Sequence, residues 1–383
     1  MISPSIIRLF LSFLRLGLTA FGGPAMIAHI KELSVKKNNW LNEERFKDGV
    51  VLCQSIPGAT AMQMAGYVGL RIKGIRGALA SYVGFGLPAF MLMLTFSVLY
   101  KNYHELSFAR SLFAGLQVIV VAIIAHATFS FGKSIAKSYQ SPLIAVLSAG
   151  CLGIGVSPFL VIPGAGLASI ILYGQPKPSP TQDIKVAQWK IKPTISLILI
   201  LMTGLILLYF INFNSFVLSA LMMKIDLFAF GGGFTSLPLM LHEIVEVRGW
   251  MDEKTFMSGI ALGQVTPGPI VITATYVGYL LYGFWGSVVA TLSIFTPSFL
   301  MLVIINPVFD RLKSSSLFLK ATQGILATFV GLLLYVLIKF AVAVPWDIIR
   351  ILLGVAALIA LIKKVDLLYV VIISGVISIW LFS

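Results

Sequence analysis

Charged side chains are scarce in this sequence: they make up 11% of its 383 residues, whereas 58% of the residues are hydrophobic. Soluble domains carry about one quarter charged residues, so this composition excludes a soluble fold. Acidic residues are the rarer sign, 14 against 28 basic ones, and a net charge of +14 would otherwise suggest a nucleic-acid partner. Because the Lys and Arg residues lie in short connectors between apolar runs, membrane topology explains them better and no nucleic acid is expected.

Residues that form disulfides or bind metals are also few. The sequence has two cysteines, Cys53 and Cys151, both inside apolar stretches, and four scattered histidines. Neither residue type shows metal-ligand spacing, so we predict no metal and no cofactor. The sequence lacks a Gly-rich Lys-Ser/Thr phosphate loop and any cluster of His, Asp or Glu, which argues against ATP hydrolysis and against an enzyme. His126, inside an apolar segment, is the one histidine that we retain as a candidate proton carrier.

Apolar runs of roughly 17–25 residues fill nearly the whole chain, and this length crosses about 30 Å of hydrocarbon as a helix. The connectors between these runs are short, which leaves no room for a soluble catalytic domain. We therefore predict an all-α, polytopic protein of the cell inner (cytoplasmic) membrane that passes through the bilayer many times and contacts lipid.

The sequence consists of two similar copies. Motifs recur at an offset of 209 or 210 in the numbering: Phe21-Gly22-Gly23-Pro24 as Phe230-Gly231-Gly232-Gly233, Tyr67-Val68-Gly69 as Tyr276-Val277-Gly278, Pro88 as Pro297, and Gln54, Pro57 and Gly58 as Gln264, Pro267 and Gly268. Such self-similarity indicates a repeat architecture. We predict one copy over 1–174, a linker with an extra transmembrane helix over 175–209, and a second copy over 210–383.

The orientation of the copies depends on how many helices cross the membrane. Six apolar segments per copy and one linker helix give about 13 spans, and the odd helix would turn the second copy upside down, as in inverted-repeat transporters. If the broken segment near 44–72 is instead a re-entrant hairpin, it does not cross the membrane and each copy has one span fewer. The two copies are then parallel. The basic residues of the connectors do not decide between these alternatives.

Each copy has two breaks in hydrophobic helix, one at the Phe-Gly-Gly motif and one at the Pro-Gly motif. Irregular backbone at membrane depth persists only where protein or a water-filled cavity satisfies it. The Pro-Gly break should begin a half-helix with proline in its first turn, whose free N–H groups attract an anion. A lone Pro-Gly step more often serves helix packing, but matched breaks in both copies favour a substrate site. The predicted substrate-binding residues at the breaks are Phe21, Gly22, Gly23, Gln54, Pro57, Gly58, Thr60, Gln63, Phe230, Gly231, Gly232, Gly233, Gln264, Thr266, Pro267, Gly268 and Pro269.

Two cations occupy equivalent positions before these breaks. Arg15 and Lys224 each lie six residues before a Phe-Gly-Gly motif. Ionisable residues within a membrane are functional candidates by default, and paired cations suit an anion path, so both join the predicted substrate site. The alternative is that the two side chains snorkel toward an interface. Asp226 has no acidic counterpart in the first copy and is either a counter-ion or a coupling carboxylate; we favour the counter-ion.

Together these motifs resemble the chromate ion transporter family in its long-chain form with two fused halves. The residues that carry the resemblance are Gly17-Leu18-Thr19-Ala20-Phe21-Gly22-Gly23-Pro24, and Gln264-Val265-Thr266-Pro267-Gly268-Pro269 with Tyr276-Val277-Gly278-Tyr279. The sequence departs from the family pattern at Ala59, where a second proline is usual, and at Asp226, where a glycine is expected.

The resemblance implies a secondary active transporter that exports chromate or a similar divalent oxyanion, driven by an ion gradient, and that confers chromate resistance. Sulfate has the same charge and tetrahedral shape, so a sulfate or other oxyanion importer, or a uniporter, is the nearest alternative. A more distant alternative is an integral-membrane enzyme that acts on a phosphorylated lipid. A homodimer is compatible with all three.

Overall fold

The computed structural model describes residues 4–21, 23–136, 139–174 and 191–382, and every regular element among them is a helix. The first copy contains α1 (Ile6–Thr19), α2 (Gly23–Lys31), α3 (Glu43–Ser55), α4 (Thr60–Tyr103), α5 (Ser107–Ile135), α6 (Gln140–Gly153) and α7 (Pro158–Leu172). The linker contributes α8 (Ile191–Ile211). The second copy contains α9 (Phe213–Phe228), α10 (Ser236–Met240), α11 (Glu253–Val265), α12 (Thr273–Ile305), α13 (Phe309–Ser314), α14 (Ser316–Ala343), α15 (Ile348–Ile362) and α16 (Leu367–Leu381).

The helices of the second copy repeat those of the first. The starts of α3 and α11 are separated by the same offset as the sequence motifs, and so are the starts of α5 and α14 and of α7 and α16. A π-helical segment follows the first break in both copies, at Glu32–Lys37 and at Leu241–Val247. The repeat that the motifs indicate therefore extends to the order and spacing of the helices.

Within the part of the chain that the structure describes, five helices are long and apolar enough to cross a membrane. They are Thr60–Tyr103, Ser107–Ile135, Thr194–Ile211, Ile270–Ile305 and Ser316–Ala343. Shorter apolar helices of 10–17 residues accompany them. The chain is thus an all-α, multi-pass membrane protein, as its composition predicts.

The second break of each copy is the tip of a hairpin. In the first copy, the Tyr67 hydroxyl donates to the Arg45 carbonyl over 3.1 Å, so α3 and the start of α4 run side by side in opposite directions. Tyr276 and Thr255 make the same 3.1 Å bond in the second copy. Segment 44–72 is therefore a hairpin rather than one broken run, which is the alternative that the sequence left open.

The first break is a hairpin tip as well. The Arg8 guanidinium lies 3.4 Å from the Asn38 side-chain oxygen, and the rings of Phe13 and Trp40 stack at 6.5 Å. The π-helical segment after α2 therefore returns alongside α1. Because the sequence shows only one apolar run near 5–28, this return was not expected.

A third reversal lies inside α4, where Lys73 and Gly74 leave the helical conformation. Gly74 has φ +63°, in the left-handed region that glycine adopts without a Cβ penalty. Beyond it the chain turns back, and Gly69 packs directly on the carbonyl of Gly77. Gly283, with φ +64°, makes the equivalent turn in α12.

The long arms of α4 and α12, residues 75–103 and 284–305, pack together at the centre. The Tyr82 hydroxyl donates to the Phe295 carbonyl over 2.9 Å. Near the end of α4, the Lys101 ammonium lies 5.6 Å from the centre of the Tyr279 ring. Tyr279 lies just before the turn at Gly283, so this turn lies beside the end of α4, whereas the turn at Gly74 lies at the start of its long arm.

The last helices of each copy pack on the other copy. Ser111 in α5 donates its hydroxyl to the Phe382 carbonyl, next to α16, over 2.8 Å. In the reciprocal contact, Ser169 in α7 donates to the Lys320 carbonyl in α14 over 2.8 Å. This exchange of helices holds the two copies together around the central arms.

Candidate functional site

The tips of the hairpins from both copies meet at one place. The Gly58 N–H donates to the carbonyl of Ala229 over 2.8 Å, which joins the second break of the first copy to the first break of the second. The Gly268 N–H donates to the carbonyl of Ala20 over 3.1 Å in the reciprocal contact. The four breaks that the sequence predicts as the substrate site are therefore brought together in two cross-copy pairs.

Gly58 and Gly268 are required at these contacts. Both have φ +112°, a conformation that residues with a side chain rarely adopt. A Cβ atom at position 58 would also overlap the Ser298 hydroxyl, and one at position 268 would lie 2.9 Å from the Ala89 methyl group. The tips thus press against the middles of the long arms, Gly58 on α12 and Gly268 on α4.

A helix begins just after each Pro-Gly tip, as the sequence predicts. α4 starts at Thr60, and no side chain caps its N-terminus; a short 3₁₀ segment, Ile270–Ile272, leads into α12, and it too lacks a side-chain cap. Uncapped N–H groups carry partial positive charge. The prediction of proline in the first helical turn is wrong for Pro57, which lies in the turn before α4, because the hairpin needs two more residues before helical geometry resumes.

Asp226 is fully buried where α9 meets α12. Its Oδ2 atom accepts the backbone N–H of Ser298 at 2.7 Å and the Ser298 hydroxyl at 2.5 Å. Pro297, one residue earlier, has no N–H and disturbs the helical hydrogen bonding there, which leaves room for a side-chain acceptor. In the first copy the corresponding residues are Gly17 and Ala89, so this carboxylate contact belongs to one copy.

Three buried polar atoms around the tips lack a hydrogen-bond partner among the described residues. They are Oδ1 of Asp226, Oε1 of Gln63 and Nε2 of Gln264. Gln63 is held beside Ser298, since its amide nitrogen donates to the Pro57 carbonyl at 2.5 Å and approaches the Ser298 carbonyl at 3.5 Å. An unpaired buried polar atom costs about 1–3 kcal/mol, so these atoms indicate a place where a ligand, ion or proton completes the bonding.

The two predicted cations have different surroundings. Lys224 binds the buried Glu243 carboxylate at 2.6 Å, and Arg248 binds the same carboxylate. Arg15 instead lines an open cavity of about 690 Å³ between α1 and the segment Glu32–Lys37. Asp226 is not bonded to Lys224 in this structure, because Glu243 occupies that role.

The remaining predicted residues lie at various distances from the tips. Thr60 lies beside the tip of the other copy, since a Cβ atom added to Gly232 would lie 3.4 Å from the Thr60 hydroxyl. Thr266 donates to the Leu262 carbonyl at 2.9 Å. Gln54 is exposed on α3.

The other predicted positions belong to the tip backbone or lie apart from it. Phe21 and Phe230 are half-buried at the first breaks, Gly23 begins α2, Gly231, Gly233, Pro267 and Pro269 form the tips of the second copy, and Gly22 lies outside the described residues. His126 lines a separate cavity of about 310 Å³ with Lys133 near the end of α5. The structure therefore does not bring His126 to the tips.

Two residues at this site were missed from the sequence. Ser298 follows Pro297, the repeated partner of Pro88, so the recurrence of that proline was a usable signal. Glu243 gave no such signal, because its pairing with Lys224 depends on the hairpin at the first break.

These features define a multi-pass helical membrane protein in which two copies join their broken segments at a shared site. A family model described as chromate transporter matches the chain twice, over residues 7–170 and 216–379. The chain belongs to this family, in the long form with two fused copies.

Curated relatives extend over most of the chain. An uncharacterized transporter of Methanocaldococcus jannaschii is 42% identical over 98% of this chain and 94% of its own length. A chromate transport protein of Pseudomonas aeruginosa is 31% identical over 80% of this chain and 73% of its own length, and one of Cupriavidus metallidurans is 27% identical over 96% and 90%. Their names indicate a transporter rather than an enzyme. No solved structure shows a significant match to this chain.

Proposed function

We propose that this protein is a secondary active transporter that carries chromate or a similar divalent oxyanion across the cytoplasmic membrane, in the direction of efflux. The observation that carries the proposal is the meeting of hairpin tips from both copies, through Gly58 with Ala229 and Gly268 with Ala20. The names of the relatives support chromate as the substrate. We take residues 1–174 and 210–383 as the two copies that form the transporter. A homodimer is a further prediction.

The two copies lie in inverted orientation. Each copy makes two hairpins, then two long helices, and then a pair of short helices, α6 with α7 in the first copy. The Ser141 and Tyr173 hydroxyls, 2.6 Å apart, bring the ends of that pair together. Each hairpin, and the pair of short helices, returns to the face from which it starts. The two long helices cross the membrane once each, so one copy produces an even number of crossings. α8 adds one more, so the second copy starts on the opposite face.

Contacts and charge support the inverted orientation. The turns at Gly74 and Gly283 lie at opposite ends of the long arm of α4, as the contact between Lys101 and Tyr279 indicates. Residues 31–76 contain eight Lys and Arg, whereas 240–286 contain two. With the N-terminus inside, the basic hairpin ends face the cytoplasm, as the positive-inside rule expects. This arrangement replaces the thirteen-span topology, in which residues 31–48 break that rule.

The oxyanion binds at the tips. The uncapped helix start at Thr60 and the unpaired amide nitrogen of Gln264 offer hydrogen-bond donors, and Arg15 supplies positive charge toward the same tips. The predicted glycines and prolines that form the tip backbone shape the contact across which the two copies move against each other. An inside-negative potential of 100 mV favours exit of a divalent anion by about 4.6 kcal/mol, because each charge contributes about 2.3 kcal/mol.

Asp226 supports a second candidate, proton-coupled import of the same anion. A buried carboxylate beside an anion site repels the anion unless it carries a proton. Its unpaired Oδ1 atom and the nearby Oε1 of Gln63 are both acceptors, and a proton or cation between them would satisfy the two. Coupling through Asp226 would thus carry proton and anion in the same direction.

Chromate uptake into inverted vesicles tests both candidates. Vesicles that contain the chain should accumulate chromate, and vesicles without it should not. Accumulation beyond the level that an imposed inside-positive potential accounts for supports secondary active efflux, whereas accumulation that matches the potential alone supports a uniporter. Uptake that requires an inward proton gradient supports coupled import. If chromate and sulfate are both left outside under either gradient, the proposed function is wrong.

A further inference from the structure

One face of α1 is polar along its whole length. Arg8, Ser12, Arg15 and Thr19 are spaced by four, three and four residues, so they share one side of the helix. This polar stripe extends roughly 16 Å, at about 1.5 Å per residue. It ends beside Ala20, whose carbonyl accepts the Gly268 N–H at the tips. The stripe therefore leads from the start of α1 to the proposed substrate site.

The stripe lies on one wall of the cavity of about 690 Å³, which α1 also lines with Ile7, Leu11 and Leu16, and the other wall consists of Leu33, Lys37 and Asn38. Lys37 adds a third cation to Arg8 and Arg15, and none of the described residues that line the cavity is acidic. Glu32, the acid of the segment Glu32–Lys37, points away and pairs with Lys36 at 3.0 Å. At about 30 Å³ per water molecule, the cavity has room for roughly twenty waters, so it suits a hydrated anion.

The second copy lacks this cavity lining. The positions equivalent to Arg8, Ser12 and Thr19 hold Val217, Leu221 and Phe228. Lys224, the counterpart of Arg15, is neutralised by Glu243.

A second acid pairs with cations in the same region. Glu246 binds His242 at 3.1 Å, the Tyr335 hydroxyl at 2.6 Å and Lys339 at 3.4 Å. The two copies thus present one open cationic cavity and one region in which acids pair with the cations.

We propose that the cavity between α1 and Glu32–Lys37 is an entry site that concentrates a divalent tetrahedral oxyanion through Arg8, Arg15 and Lys37. This inference rests on the proposed function and adds an assigned entrance to it. A cleft lined by one sign of charge raises the local concentration and association rate of its ligand by about 10–10³-fold. With the N-terminus inside, the cavity opens to the cytoplasm and collects the anion for export.

The same chemistry would also recognise the phosphate of an anionic lipid headgroup. The free oxyanion is favoured because the stripe continues inward to the tips. A lipid headgroup cannot reach the tips, since it is attached to acyl chains that stay in the bilayer. Vesicles made only of phosphatidylcholine separate the two sources, since they contain no anionic lipid.

The test measures initial rates of chromate uptake in such vesicles against chromate concentration, at low and high ionic strength. The double variant Arg8→Gln, Lys37→Gln should raise KM about tenfold at low ionic strength, with a maximal rate within about twofold. High ionic strength should shrink this difference, because salt screens exposed charges. Lys36→Gln, which removes a neighbouring charge outside the cavity, should keep the wild-type KM, and Arg8→Lys with Lys37→Arg should restore it.

The outcomes are distinguishable. A wild-type KM and salt dependence in the double variant would overturn the entry site while transport itself persists. An effect that appears only when anionic lipid is added would assign the cavity to headgroups and overturn the inference as well. Failure of the wild-type protein to transport any oxyanion would instead contradict the proposed function.

Discussion

The N–H of Gly58 donates to the carbonyl of Ala229 over 2.8 Å, and this bond joins the tips of two hairpins that are far apart in the chain. The equivalent bond from Gly268 to Ala20 makes the contact reciprocal. Because each tip belongs to a different copy, movement of one copy against the other must pass through this contact.

Replacing either tip glycine should impair both stability and transport. Gly58→Ala places a side chain at φ +112° and against the Ser298 hydroxyl. The backbone strain alone costs about 1–3 kcal/mol. We expect a lower thermal unfolding midpoint in detergent and strongly reduced chromate uptake. Gly204→Ala, in an α8 helix position with open space around it, should leave both unchanged; equal effects of the two substitutions would contradict the role of the tip.

The two matched cations should differ in importance. Arg15→Gln removes a charge that no described acid neutralises in its cavity, and we expect about a tenfold loss of uptake at low substrate. Lys224→Gln should cost about fivefold at most, because the Lys224 side chain is 46% exposed and already paired with Glu243. Uptake rates at equal expression measure both. A larger loss for Lys224→Gln would show that the ion pair of Lys224 with Glu243, rather than the cavity that Arg15 lines, limits transport.

Asp226→Asn separates coupled import from potential-driven efflux. The amide keeps the size of the carboxylate and an oxygen acceptor for Ser298, but it does not titrate. If Asp226 couples a proton, the variant loses uptake driven by a proton gradient and keeps exchange of chromate at equal concentrations. Unchanged gradient-driven uptake in Asp226→Asn would remove Asp226 from the coupling mechanism. Ser298→Ala serves as the matched control, since it removes one donor to Asp226 and leaves the carboxylate in place.

Glu243→Gln should separate the side chains of Lys224 and Arg248, which Glu243 holds together in the second copy, and make their surroundings more accessible to water. Without this carboxylate, Lys224 and Arg248 face each other without a counter-charge, and like charges repel. A cysteine introduced at Phe228, with Cys151 replaced by serine, should react faster with a water-soluble thiol reagent in the Glu243→Gln background. Asp310→Asn, which breaks an exposed pair with Lys313, should not change the reaction rate. Equal rates in all three proteins would show that Glu243 does not close this region.

Single cysteines at Lys36, Lys73 and Tyr282 test the proposed orientation in the same Cys151→Ser background. In the proposed inverted orientation, Lys36 and Lys73 lie on one face of the membrane and Tyr282 lies on the other. A membrane-impermeant thiol reagent should therefore label the first two from one side and the third from the opposite side. Labelling of Lys36 and Lys73 from opposite faces would instead favour the thirteen-span topology. Labelling of all three from one face would contradict inversion.

Part of this architecture was readable from local sequence. The breaks at Phe-Gly-Gly and Pro-Gly are visible because glycine and proline act on the backbone within a few residues, whatever surrounds them. Their recurrence at a nearly constant offset marked both copies and predicted the regions that meet in the structure. The helix start after the Pro-Gly step was predicted correctly, but two residues, Gly58 and Ala59, separate Pro57 from the first helical residue, since the width of a turn depends on what it packs against.

The sequence by itself determined that this chain is an all-helical membrane protein with two copies and paired breaks, because hydrophobic length and backbone chemistry are local properties. The tertiary structure decided which breaks touch, and it paired Lys224 with Glu243 and Asp226 with Ser298. Those pairings depend on three reversals per copy and on helices exchanged between copies, and no periodicity along the chain records contacts between residues 19 or 72 positions apart. Only the folded chain therefore distinguishes the open cationic cavity of the first copy from the acid-paired Lys224 of the second.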